Sequence, residues 1–346
     1  MEQGKISDRK QTTLKKFLEF EKPEQYDFKC EMPKYYEDHK DNWKYSLQYD
    51  GMLKILQEEQ DTFCMEGDAA RRYQLYRILG GCGNDFDSDN SNGTCALAYE
   101  IYQNLWCVND TKEDKKFRLS RLGFEGYWGG DTMNSFNTIY RDIMSRINED
   151  TNAAKLVHKL RYEYTSAYTT LGNFVLVPYG FNRGRYRKTS DYWDKSLKYL
   201  CENGYTNKKT NGSFRKDDFK KYANVFFLWD YTKAADSKYT AEDLFDENKL
   251  ETFLDNTIKR IKRRSIFMVA MLRIKQINEN DFNEIMKYLS EPNSFFEEMD
   301  DALSKIRDLF KRYEGKNEPN TLSILTKAQE DIKLKEDSSK ITQKEA

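Results

Sequence analysis

The chain has 346 residues, 38% hydrophobic, 33% charged and 14% aromatic, with a formal net charge of −1. That charge excludes a polycation gripping nucleic acid over its whole surface, so any such contact must be a local patch. The length suffices for one large domain or two modest ones with a substantial core.

The N-terminal MEQGKISDRK has no apolar stretch of the signal-peptide kind. The longest apolar run, Ile266 to Leu272, is far short of the ~20 residues that span a bilayer. Six cysteines, at 30, 64, 82, 95, 107 and 201, form no C-x-x-C pair, which points to free thiols in a reducing compartment. The expectation is a cytoplasmic protein with no membrane partner. The two histidines, His39 and His158, are far apart, so neither is expected to ligate zinc. No other metal site and no cofactor is expected.

In chain order, Thr12 and Thr13 precede Leu14, Phe17 and Leu18, a capped helix start. The GGCGNDFDSDNSNGT stretch at 80–94 reads as irregular. Asp85, Asp87 and Asp89 alternate there as in calcium loops, but Asn90 and Ala96 stand where such a loop needs Gly and Glu. Leu97, Ile101, Leu105 and Cys107 share a helical face. Phe136, Ile139, Tyr140, Ile143, Met144 and Ile147 make an amphipathic helix. Further helical stripes are Leu156–Val157–Leu160–Tyr164–Ala167, Leu250–Phe253–Leu254–Ile258–Ile261 and Phe296–Met299–Leu303–Ile306–Phe310. NFVLVP is the best strand, closed by Pro178, which cannot donate to a ladder. The predicted fold is mainly α: one large helical domain over 1–315 with a small β element near 173–178. A polar tail, partly helical and disordered at its end, is expected over 316–346, with residues beyond about 330 dispensable.

Two segments combine glycines, polar groups and predicted helix starts. In GGDTMNS, Asp131 or Thr132 is the expected N-cap, with Asn134 and Ser135 in the first turn, and helix N-termini favour anions. In GNFVLVPYGFNRGRYRK, Asn173 opens the strand. Asn182, Arg183, Arg185 and Tyr186 are expected on an exposed loop after it, as phosphate forks and a stacking face. Asp191 is the expected cap of the next helix, with Asp194 in its first turn. KRIKRR, Lys259 to Arg264, reads as a basic helical patch or a solvated helix end around one core residue, Ile261.

These segments resemble the signature segments of an uncharacterised Firmicutes domain-of-unknown-function family. The matches are Gly130 to Ser135, Gly172 to Phe174, Pro178, Phe181 to Gly184 and Asp191 to Asp194. Gly129, Leu171 and Thr169 depart from its pattern, where arginine, isoleucine and histidine are expected. The resemblance implies no activity. Gly172 to Leu176 with Asn182 is also similar to a segment of HNH-type nuclease domains associated with restriction and phage defence. The histidine such a nuclease uses has no counterpart, because His158 lies on a predicted helix.

The leading expectation is a bacterial or phage protein that binds an anionic ligand, nucleotide or nucleic acid. Its pocket would be formed by Gly130–Ser135 and Gly172–Arg187. One alternative is an enzyme on nucleotide or nucleic acid, either a degenerate HNH-like nuclease or one with Asp131 and Asp194 as its carboxylates. The other is a structural or protein-interaction role.

Overall fold

The computed structural model describes residues 14–26, 28, 96–106, 109–110, 116–135, 138–139, 156, 159–190, 192–236, 238–241, 249–311 and 319–342. His39, His158, Asp191, the 80–94 loop, most of the 136–147 stripe and every cysteine but Cys201 lie outside them. Helix takes 67% of the described residues and strand 13%, so the fold is mainly α with small β elements.

The first elements are α1 (Leu14–Glu19), α2 (Ala96–Trp106), β1 (Asn109–Asp110), β2 (Phe117–Arg118) and β3 (Trp128–Thr132). A π-helical turn over Lys159–Tyr164 runs into α3 (Thr165–Tyr168). Then come β4 (Phe174–Pro178), α4 (Phe181–Thr189) and α5 (Trp193–Asn203), with the hairpin β5 (Tyr205–Asn207) and β6 (Gly212–Phe214). After α6 (Phe219–Val225) and a second hairpin, β7 (Thr232–Ala235) and β8 (Lys238–Ala241), the chain is helical: α7 (Leu250–Ile277), α8 (Glu279–Ser290), α9 (Met299–Lys311) and α10 (Pro319–Thr342).

Helix α7 is the axis of the fold. Its 28 residues span roughly 42 Å. The first half has one apolar face: Leu254, Ile258 and Ile261 pack with Tyr164, Tyr168 and Tyr192 in a small aromatic cluster. The second half, Ile266 to Leu272, is apolar all round and buried in the main core, as a helix enclosed by neighbours must be. Helices α2, α8 and α10 pack against α7. Each large apolar side chain sealed there contributes about 1.5–3 kcal/mol. Among the described residues, no helix is long and apolar enough to cross a membrane.

Within the expected tail the chain forms α10, Pro319–Thr342, and Leu325, Ala328 and Ile332 enter the main core. Its apolar residues are sparse, yet three of them share the face turned to α7 and α9. This sparse stripe is why the segment reads as solvated in sequence.

Strands β1 to β4 form one antiparallel sheet in chain order. Its longest pairing is β3–β4, with Trp128 opposite Pro178, Gly130 opposite Leu176 and Asp131 opposite Val175. Strand β4 is buried along its whole length, which explains its uninterrupted apolar run.

Candidate functional site

The β3–β4 ladder joins the two motif segments. Past Thr132 it continues as Met133 N–H to the Asn173 carbonyl at 2.8 Å, and then through side chains. The Asn173 Oδ1 accepts from the Asn134 backbone N–H (3.0 Å) and Nδ2 (3.2 Å). Its Nδ2 donates to the carbonyls of Asn134 (3.2 Å) and Tyr168 (2.8 Å). Asn173 is fully buried and Asn134 nearly so, and both sides of the Asn173 amide are satisfied, as burial requires. Asp131 and Thr132 are thus strand residues, not the expected helix caps. Ser135 takes the capping position instead: its Oγ accepts from Thr138 N–H at 3.5 Å and its carbonyl from Ile139 N–H at 3.2 Å. The WGGDT composition is poor for a strand; pairing with β4 overrides it.

Asn182, Arg183, Arg185 and Tyr186, expected on a loop, lie on helix α4. Its core stripe is Phe181, Arg185 and Thr189 at i, i+4 and i+8, all buried. An arginine at the middle core position hides the helical period. The Arg185 side chain is 2% exposed and its Nη1 lies 2.6 Å from the Asp131 carboxylate. Nη1 also donates to the Thr132 carbonyl (3.0 Å), and Nη2 to the Met133 carbonyl (3.2 Å). Asn182 is exposed on the other side of α4. The side chains of Arg183 and Tyr186 are outside the described set. Asp194 is buried in the first turn of α5.

A second buried arginine supports the same segment from α7. Arg264 donates from Nε to the Phe226 carbonyl (3.0 Å) and from Nη1 to those of Gly172 (2.7 Å) and Phe174 (2.6 Å). Its Nη2 is buried without a hydrogen-bond partner, and burial pushes its pKa down to about 10. Arg263 bridges Asp230 and Asp300, both at 2.7 Å. Burial works against the Arg263 charge, but the two carboxylates outweigh it and hold its pKa above the ordinary arginine range. The expected basic patch is therefore corrected: two of its five cations are interior cross-links of a helix that runs on to Ile277. Gly172 lies so close to α7 that a Cβ there would sit 1.9 Å from the Ile261 carbonyl oxygen.

The motif residues Asp131, Thr132, Asn134, Asn173 and Arg185 thus meet around one buried centre and bond to one another. An open concavity lies a short distance along the chain. A cleft of about 490 Å³ is lined by Lys188, Tyr199, Tyr205, Arg215, Lys216 and Asp217, among others. Lys188, on the last turn of α4, lies over the rings of Tyr199 (4.5 Å) and Tyr205 (5.3 Å) and donates to the Tyr199 hydroxyl at 2.9 Å. The position of Lys188 follows from the buried centre, because Arg185 anchors α4 one turn earlier. Thr189 and Ser196 Oγ atoms, 2.9 Å apart, fix α4 to α5.

The hairpin β5–β6 forms the other wall. It carries Lys208 and Lys209 at its exposed tip. At its base Arg215 pairs with Asp218 at 2.9 Å. Partial burial works against the Asp218 charge, but Arg215 and Lys221 hold its carboxyl below the usual range. Sequence reasoning missed this cleft. The signal was YTNKKTNG, two lysines in a turn with an aromatic and no acid.

Among the described residues no three His, Cys, Asp or Glu side chains form a group that could hold a metal ion. No protein-family model matches the chain, and no curated protein or solved structure matches it either.

Proposed function

We propose that this protein binds an anionic ligand, a nucleotide or nucleic acid, in the cleft between α4, α5 and the β5–β6 hairpin. The observation that carries the reading is that Lys188, Arg215 and Lys216 line one 490 Å³ concavity together with Tyr199 and Tyr205, with Asp217 the single lining carboxylate among the described residues. Cations meet phosphates and ring faces meet bases, and the volume is that of a small-molecule site. The Asp131–Arg185 centre serves this site from beneath: it positions α4 and does not touch the ligand.

The test is fluorescence anisotropy with mant-ATP and with 5′-fluorescein-(dT)4, comparing the native protein with a Lys188→Glu/Lys216→Glu variant. Both residues are exposed, and the variant gives up only the Lys188 ring contacts and its bond to Tyr199, so the thermal midpoint should fall by no more than a few degrees. Affinity for both probes should fall at least tenfold. Unchanged binding by the variant, or no binding by the native protein, overturns the reading.

A further inference from the structure

The cleft does not end the basic, aromatic surface. Across the tip of the β5–β6 hairpin, Asn207 Nδ2 donates to the Tyr205 hydroxyl at 3.2 Å, and the Thr210 hydroxyl donates to the Tyr179 carbonyl at 2.8 Å. Gly212 allows this approach, because a Cβ there would sit 2.1 Å from the Tyr179 carbonyl oxygen. Tyr179 in turn donates its N–H to the Tyr127 carbonyl at 2.8 Å. Lys116 lies over both rings, 5.4 Å from Tyr127 and 5.5 Å from Tyr179. Arg118 covers Tyr127 at 4.9 Å and donates to its hydroxyl at 2.9 Å. Between Lys116 and Arg118, Phe117 points inward and is buried, so strand alternation turns both cations outward.

These contacts link two cation–tyrosine clusters, one at the cleft and one at the sheet edge, through a hairpin tip bearing Lys208 and Lys209. The chain as a whole carries a net charge of −1, yet neither Tyr179 to Lys188 nor Tyr205 to Arg215 contains an acidic residue, and Lys116 to Tyr127 contains one, Glu125, 3.9 Å from Arg215. A mononucleotide needs one such cluster. Two clusters joined by cations suit a polymer with a phosphate at every unit and an unstacked base to lay on each ring. A duplex keeps its bases stacked inside and cannot use the rings.

We infer that the ligand of the proposed cleft is a single-stranded nucleic acid, which continues from Tyr199 and Tyr205 over the hairpin tip to Tyr179 and Tyr127. This inference rests on the cleft reading above and extends it.

The test measures anisotropy of 5′-fluorescein-(dT)4, -(dT)8 and -(dT)16, with a (U)16 arm for RNA, on the full chain and on Lys116→Ala/Arg118→Ala. Affinity should rise at least tenfold from (dT)4 to (dT)16. The double variant should lose that gain and still bind (dT)4 as the native protein does. Its salt slope, d log K/d log[salt], should fall by about 1.4, at about 0.7 per phosphate-contacting cation on a single strand. A Lys208→Ala/Lys209→Ala variant, altered only at the exposed turn, should show the same pattern if the sheet-edge variant is poorly folded. Length-independent affinity, or variants that bind (dT)16 normally, overturn the track and leave the cleft standing. Absence of binding to (dT)4, (dT)16 and mant-ATP alike overturns both. A duplex of equal length that binds as tightly as (dT)16 also overturns the track, because it offers phosphates without free bases.

Discussion

Replacing Arg185 by alanine removes a charge that is sealed in the protein. The guanidinium holds the Asp131 carboxylate at 2.6 Å and the carbonyls of Thr132 and Met133 at 3.0 and 3.2 Å. Breaking a buried ion pair from one side costs about 3–5 kcal/mol, chiefly because the remaining charge is left unpaired. The Asp131 side chain is 16% exposed, so it regains some water and the low end applies. The two carbonyls lose a charged donor, which adds to the loss. We expect about 3–4 kcal/mol. At ~2–4 °C per kcal/mol for a large domain, the thermal midpoint should fall by roughly 6–16 °C. Urea unfolding followed by tryptophan fluorescence measures the free-energy loss directly. Asp131→Ala in the Arg185→Ala background should restore part of the loss, since the stranded carboxylate is gone, and the cycle gives the coupling between the two. A loss under ~1 kcal/mol, the range of surface pairs, would refute the reasoning and return Arg185 to the exposed role its sequence context suggests.

Gly172→Ala should destabilise more than a substitution in a loop. Its Cβ would meet the α7 backbone at Ile261 and Ser265, which cannot yield without moving the helix, so we expect a loss of about 2–4 kcal/mol or insoluble protein, read by the same urea titration. Ile332→Ala should cost about 2–4 kcal/mol for a fully buried isoleucine, and a chain stopped at 330 should lose at least as much. A thermal midpoint unchanged by either would mean that α10 does not pack as described.

The sequence by itself determined the parts of the fold that rest on apolar periodicity. The Phe253–Ile261 stripe became the first half of α7, Met299 to Phe310 became α9, and the apolar run closed by Pro178 became β4. It also marked Asp131, Asn134, Asn173 and Arg185 as unusual. Only the tertiary structure decided what they do. Asp131 and Arg185 stand 54 residues apart and Gly172 and Arg264 92 apart. A polar residue satisfied by so distant a partner cannot be told locally from one facing water. Arg185, Arg263 and Arg264 read as solvated cations for that reason, and α4 read as a loop because a charged residue fills its core position. The cleft was legible only as scattered lysines and tyrosines. The buried Asp131–Arg185 pair anchors α4 one turn before Lys188, and Gly212 lets the hairpin close against Tyr179.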